Sequence, residues 1–280
     1  MSTYHSELES RLKQEYHGTD TLLFHYTSME SACKILETNT LRLSNLSSVN
    51  DPLEFCSPEH FSLVGYGDAD DIKNVHQLQQ SLKERQNSVR LLCFCRDYFC
   101  NQQEWNDKHA PDFANNYLYK GWARTRMWAQ YANNHAGVCL IFDKEELRKA
   151  FLAENDKIQL YEDKPINYSN DFHELESIMT DISETLTKDS DLSHYYIEKR
   201  CMDTLFQKCT DFCGENEYRF LFLNTDLKSP NEEITLNYGQ SLKAVMLGQR
   251  FTPSLKFALP PWIEQYKIHW NCGCPDFFKM

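Results

Sequence analysis

The sequence predicts an α+β fold. The chain opens strand, helix, strand; apolar runs of strand length recur without regular strand–helix alternation; and a long polar stretch of helical character separates two sheet-forming halves. With 280 residues there is enough chain to bury a substantial core. No repeat or low-complexity tract divides it, so a single domain is expected over 1–280, with an α+β core over 22–270 and a helical insertion over 171–213.

Each element has its own signal. Residues 1–20 are polar and read as a helix or loose lead-in. Leu22-Leu23-Phe24-His25-Tyr26 is an apolar run of strand length. Thr27 and Glu30 have capping-box spacing, and Met29, Ala32, Cys33 and Leu36 then fall on one helical face. Asn39 is a stop signal, and Leu41 to Ser44 reads as a second strand. Asn50-Asp51-Pro52 marks a turn, and a helix is expected over about 71–86. A buried strand over 89–95 leads to an irregular loop over 97–114 and a helix over 117–133. His135-Ala136-Gly137 turns into a strand over 138–142, after which Asp143 caps a helix with Glu146 three residues on. Residues 158–168 hold two short strands broken at Pro165, and 171–213 are mostly helical with an acidic first half. Strands follow over 218–223, 234–238 and 244–247, then a helix or loop over 253–265 and a last strand over 266–270.

Composition excludes several functions. Acids outnumber bases by 41 to 29, for a net charge of −12. That argues against an extended nucleic-acid surface, since such affinity rests on Lys and Arg neutralising phosphates. No apolar run approaches the roughly 20 residues a membrane span needs, and residues 1–20 lack a leader's apolar segment. Eleven cysteines, an odd number, read as reduced thiols of a cytoplasmic protein. No Cys-x-x-Cys occurs, and Cys272-Gly273-Cys274 would need a second pair to hold zinc, so no metal site is expected. Neither a dinucleotide-binding nor a P-loop glycine motif is present.

Three segments could carry chemistry. His25 ends a central strand, where a histidine either faces a cleft or packs in the core. Trp128 and Tyr131 share a helical face near His135, a pattern that more often builds core than a ligand platform. Cys139 lies in an apolar strand, where a thiol is normally buried and inert, so a Cys139–His135 dyad is not favoured. Glu215 and Glu217 are two apart, so on a strand they would point the same way. Like charges that close raise the pKa of one partner and make an acid/base pair. The structural alternative is that Glu217 and Arg219 form a surface ion pair at a strand start.

The segment Leu23-x-His25-Tyr26-Thr27, then a helix, then Leu41-x-Leu43-Ser44, resembles the opening of several ADP-ribosyltransferase families. Glu215-x-Glu217 resembles the Glu-x-Glu of the arginine-modifying members. The resemblance implies split mixed and antiparallel sheets around a cleft that holds NAD as substrate. His25 would bind the adenosine-side ribose beside Tyr26 and Thr27, and Ser44 would brace Glu217. Glu217 would stabilise the oxocarbenium ion left when nicotinamide departs, and Glu215 would position or deprotonate the acceptor. Tyr131 or Tyr26 would stack on nicotinamide, and Asn50 or Glu54 would lie on a loop over the pocket; Asn50 alternatively only starts a turn. The acceptor would be a macromolecule or water, and a toxin or phage-defence role is implied. Asn50-Asp51-Pro52-x-Glu54, Met127-Trp128-x-x-Tyr131-x-x-x-His135-x-Gly137-Val138-Cys139 and Glu217-x-Arg219 together resemble a bacterial domain-of-unknown-function family, numbered twenty-nine seventy-one, over about 22–248. Against the enzyme stands a non-catalytic module on the same scaffold, binding a nucleotide or a protein partner; a nuclease ranks last for want of a clustered metal motif. An enzyme requires His25 and Glu217 to face one cleft, with neither buried in ion pairs.

Overall fold

The computed structural model describes residues 7–13, 21–49, scattered positions between 77 and 88, 89–97, 120–153, 158–170, 202–224, 233–252, 259 and 262–280. Among these, nine strands form one mostly antiparallel sheet, and four form two small ladders. The architecture is α+β. The strands are β1 (Leu22–Thr27), β2 (Thr40–Arg42), β3 (Ser44–Asn45), β4 (Val89–Arg96), β5 (Val138–Asp143), β6 (Ile158–Pro165) and β7 (Asn167–Tyr168), then β8 (Gln207–Lys208), β9 (Glu217–Asn224), β10 (Thr235–Asn237), β11 (Leu242–Leu247), β12 (Glu264–Asn271) and β13 (Cys274–Lys279). The helices are α1 (Glu7–Lys13), α2 (Met29–Thr38), α3 (Thr125–Gln130) and α4 (Lys144–Ala153). None of the described helices is long and apolar enough to cross a membrane.

The main sheet runs β13-β12-β11-β5-β1-β4-β9-β6, with β3 also on β4. Within it only β11 and β12 are parallel. The resemblance implied two opposed sheets; the described strands make one continuous sheet and the ladders β2–β10 and β7–β8. Both faces of this sheet are covered, which is why its inner strands are apolar runs rather than alternating ones. Leu23 of β1 joins Ala32 of α2 and Leu147 and Phe151 of α4 on one face. Leu22, Phe24 and Tyr26 join Leu12, Trp122 and Trp128 on the other. Each such buried side chain contributes about 1.5–3 kcal/mol of hydrophobic stabilisation.

Local chemistry sets most boundaries. Helix α2 starts one residue later than the capping-box spacing suggests. Its N-cap is Ser28, whose Oγ accepts from the Ser31 N–H at 3.2 Å, because Thr27 is still the end of β1. Asn39 ends it in the left-handed conformation at φ 54°, which an Asn side chain tolerates. Asp143 accepts from the Glu146 N–H at 3.1 Å, as the cap of α4 requires.

Three expectations change. The helix over 117–133 is shorter: a 3-10 turn at Gly121–Ala123 precedes α3. Of the insertion over 171–213, residues 171–201 lie outside the described ones. The remainder holds a helical turn, the short strand β8 and the 3-10 turn Thr210–Glu215 rather than continuous helix. The strand β12 is not the last. Cys272 and Gly273, at φ 50° and 83°, form the tight turn into β13, with the left-handed geometry that two-residue hairpins need.

Candidate functional site

The sheet is not evenly paired around β4. Along one edge β4 pairs with β9 from Val89 to Cys95. Along the other it pairs with β1 only at Cys95 and Arg96, and with β3 only at Arg90 and Leu91. Leu92, Cys93 and Phe94 therefore have no strand partner on that side among the described residues, because β1 turns away to follow β5 along its whole length. A cavity of about 200 Å³ opens at this gap. An open strand edge leaves backbone groups to be satisfied by side chains. His25 supplies one such bond, its Nδ1 lying 3.3 Å from the Cys93 carbonyl oxygen. A carbonyl only accepts, so Nδ1 carries the proton and Nε2 keeps a free lone pair. Burial lowers the His25 pKa, outweighing the Cys93 carbonyl bond that raises it, so the ring is neutral near pH 7.

The opposite wall is ionic. Lys208 of β8 reaches Glu215 Oε2 at 2.9 Å and Glu217 Oε2 at 2.6 Å. Arg219 Nε donates to Glu217 Oε1 at 2.7 Å, and its NH1 donates to the Leu205 carbonyl at 2.5 Å. Tyr131 donates its hydroxyl proton to Glu215 Oε1 at 2.6 Å, and the Tyr168 hydroxyl accepts the Glu217 N–H at 2.9 Å. All four charges are at least 94 % buried on their side chains. Two acids and two bases leave this wall neutral. Burial pushes the Glu217 pKa up, but Arg219 and Lys208 outweigh it and hold the carboxyl down at about 2. The Cys93 thiol, hydrogen-bonded to Glu217, is pushed well up, mainly by burial and then by the Glu217 charge. It is therefore no thiolate nucleophile.

The structure brings most of the sequence candidates together. His25, Tyr26, Ser44, Tyr131, Glu215 and Glu217 all line the one cavity. Thr27 does not; it is paired with Val138 inside the sheet, past the gap. Asn50, Asp51, Pro52 and Glu54 lie outside the described residues. Ser44 lines the cavity but makes no hydrogen bond to Glu217; Arg219 and Lys208 hold that carboxylate instead. Tyr26 is anchored through its hydroxyl to the Gly121 carbonyl and packs edge-on against Trp128 at 5.1 Å. Trp128 is core: it is fully buried, with its indole N–H on the Trp122 carbonyl at 2.8 Å. His135 sits in a left-handed turn with Asn133 and Asn134, its carbonyl receiving the Arg250 N–H, and does not line the cavity. Cys139 is fully buried in β5, and burial raises its pKa well above the ordinary thiol value.

Two readings of the Glu pair need correction. Glu215 and Glu217 do not sit on one strand. Glu215 ends the 3-10 turn, Asn216 is left-handed at φ 43°, and β9 begins at Glu217. They also do not repel into an acid and a base, because Lys208 lies between them and Glu217 is pushed down rather than up. Glu217 and Arg219 are an ion pair, but a buried one. Lys208 has no local sequence signal, because its partners are supplied by a segment that folds back onto it. Among the described residues no cluster of three or more His, Cys, Asp or Glu could hold a metal ion.

Residues 127–220 match the family described as "Protein of unknown function (DUF2971)". The match covers less of the chain than the 22–248 expected. It takes in Tyr131 and the whole ionic wall, Lys208, Glu215, Glu217 and Arg219, but not His25, Arg42 or Ser44. Neither the comparison with curated proteins nor that with solved structures returned a match.

Proposed function

We propose that the cavity takes the nicotinamide-ribose end of NAD and breaks its glycosidic bond, making the protein an ADP-ribosyltransferase or NAD glycohydrolase. The observation that supports this is that His25, Ser44, Tyr131, Glu215 and Glu217, drawn from distant parts of the chain, line one cavity. Neutral His25 offers Nε2 as an acceptor for a ribose hydroxyl; in this cavity that would be the nicotinamide-side ribose, not the adenosine-side ribose that the resemblance assigns to it. In the reaction the ribose C1′–N bond breaks, and its electron pair leaves with neutral nicotinamide. The resulting oxocarbenium ion is stabilised by a carboxylate that is ionised at every pH near neutrality, as Glu217 is with its pKa of about 2. An acceptor oxygen or nitrogen then bonds to C1′ and gives up its proton to Glu215 or to solvent.

A non-catalytic nucleotide-binding module is the second reading, and one observation favours it. Each Glu217 oxygen already has a cationic partner, so the field it offers a developing cation is largely cancelled. The requirement that Glu217 lie outside ion pairs is not met. The enzyme reading therefore depends on the one acceptor position left, since an ionised carboxylate accepts about four hydrogen bonds and Lys208, Arg219 and Cys93 take three.

Nicotinamide release from NAD, with and without cell lysate, separates the two. The enzyme reading expects release by the wild type and a loss of about a hundredfold or more in Glu217→Gln; dependence on lysate identifies a macromolecular acceptor. Binding of NAD without release under any condition favours the module. Neither release nor binding removes NAD from both readings.

A further inference from the structure

We infer that Arg42 and Ser44 form a phosphate subsite at the mouth of the cavity, holding the anionic part of a ligand whose uncharged end enters the gap between β1 and β4. This rests on the NAD reading above and assigns a second, separate recognition element to it. Four observations carry it.

The first is size. About 200 Å³ is below the ~300 Å³ at which pockets for drug-sized ligands begin. Such a cavity admits one end of a dinucleotide, and the remainder must lie across the opening. The second is charge. The buried wall is self-neutralised, because Lys208 and Arg219 are paired with Glu215 and Glu217. Arg42, which lines the same cavity and is exposed, is the charge left over among the described lining residues. Among the described residues its guanidinium makes no hydrogen bond or ion pair, and neither does the Ser44 hydroxyl.

The third is direction. Through β2 and β3 the chain is extended, and alternate residues face opposite ways. Leu41 and Leu43 are buried in the core, at 1 % and 5 % exposure. Arg42 and Ser44 are the alternate pair, so both face away from that core, on the side where the cavity opens. A guanidinium fork beside a hydroxyl is a phosphate-recognising combination, since Arg binds phosphate oxygens bidentately and Ser adds a neutral donor. The fourth is context. On a chain of net charge −12, an arginine at a cavity mouth with no acidic partner among the described residues is a local positive point in an otherwise repulsive field, which selects where an anion settles.

The test compares binding of NAD, nicotinamide riboside and inorganic pyrophosphate by calorimetry. The first two share the buried end, and only the riboside lacks phosphate. Arg42→Gln is expected to lower NAD affinity by about tenfold while leaving riboside affinity unchanged. Arg42→Lys is expected to fall between, keeping the charge and losing the fork. Ser44→Ala should lower NAD affinity by a smaller factor. Equal losses for NAD and riboside, or no loss for either, overturn the subsite. If the wild type binds neither, the NAD reading falls and the pyrophosphate arm alone decides: binding lost in Arg42→Gln keeps an anion subsite, and no binding removes it. Arg42 is exposed and outside the core, so its variants should fold, and their unfolding midpoints check this.

Discussion

Two buried strands flank the centre of the sheet with opposite chemistry. Strand β5 lies on one side of β1, with Val138 to Phe142 all fully buried and all apolar. Strand β9 lies beyond β4, is just as buried, and carries Glu217, Arg219 and Asn224. The difference follows the pairing of β1. It stays with β5 for six residues and with β4 for two. Where β1 stays paired no gap opens beside it, and its neighbour β5 is apolar from Val138 to Phe142. Where β1 leaves β4, a cavity forms, and charged groups are retained at its wall. Taking ions out of water costs several kcal/mol each, and mutual attraction offsets this only with good geometry. A neutral set of Lys208, Glu215, Glu217 and Arg219, each paired with an opposite charge, provides that geometry.

The largest effect should come from Lys208→Met. It removes the cation shared by Glu215 and Glu217 and leaves two buried carboxylates facing each other, so urea unfolding should show a loss of about 3–5 kcal/mol. A loss no greater than that of an ordinary core truncation would mean that water, not Lys208, serves these acids.

Acid sensitivity comes next and belongs to the β9 side. The Glu217 pKa is about 2 in the fold against an ordinary 4.5, so its lowered value adds stability that is fully present above pH 4.5 and disappears as pH falls to about 2. Chemical denaturation across that window should therefore be steeper in pH for the wild type than for Glu217→Gln. Identical slopes would show that the carboxylate is not held as an anion. The smallest effect should be Ile141→Val in β5, about 1 kcal/mol, with no change in pH dependence or ligand binding. A change in binding from that strand would break the division between a packing side and a cavity side.

Much of the frame was legible. The apolar runs of β1, β4, β5 and β9 and the one-sided pattern of α2 report burial directly, because strand and helix periods are local properties. Asn39 and Asp143 announce helix ends because caps are made by neighbours in sequence. His25, Ser44, Tyr131, Glu215 and Glu217 were legible as candidates through residue type and resemblance. Thr27 was not separable from them, since one residue decides whether a side chain stands at the gap or past it. The resemblance makes Ser44 a brace for Glu217, a role the fold gives to Arg219 and Lys208. The hairpin of β12 and β13 was missed because Cys-Gly lacks the Asn or Asp that usually marks such a turn.

By itself the sequence determined the fold class, the buried strands, several caps and the residue types available for chemistry, since these follow from short-range pattern and composition. Tertiary structure alone decided that β1 parts from β4 after two pairs, that the gap becomes a cavity, and that Lys208 comes to rest between two glutamates. The physical reason is range. Periodicity and capping act over a few residues, whereas the protonation state of Glu217 is set by charges that approach it only after the chain has folded back on itself.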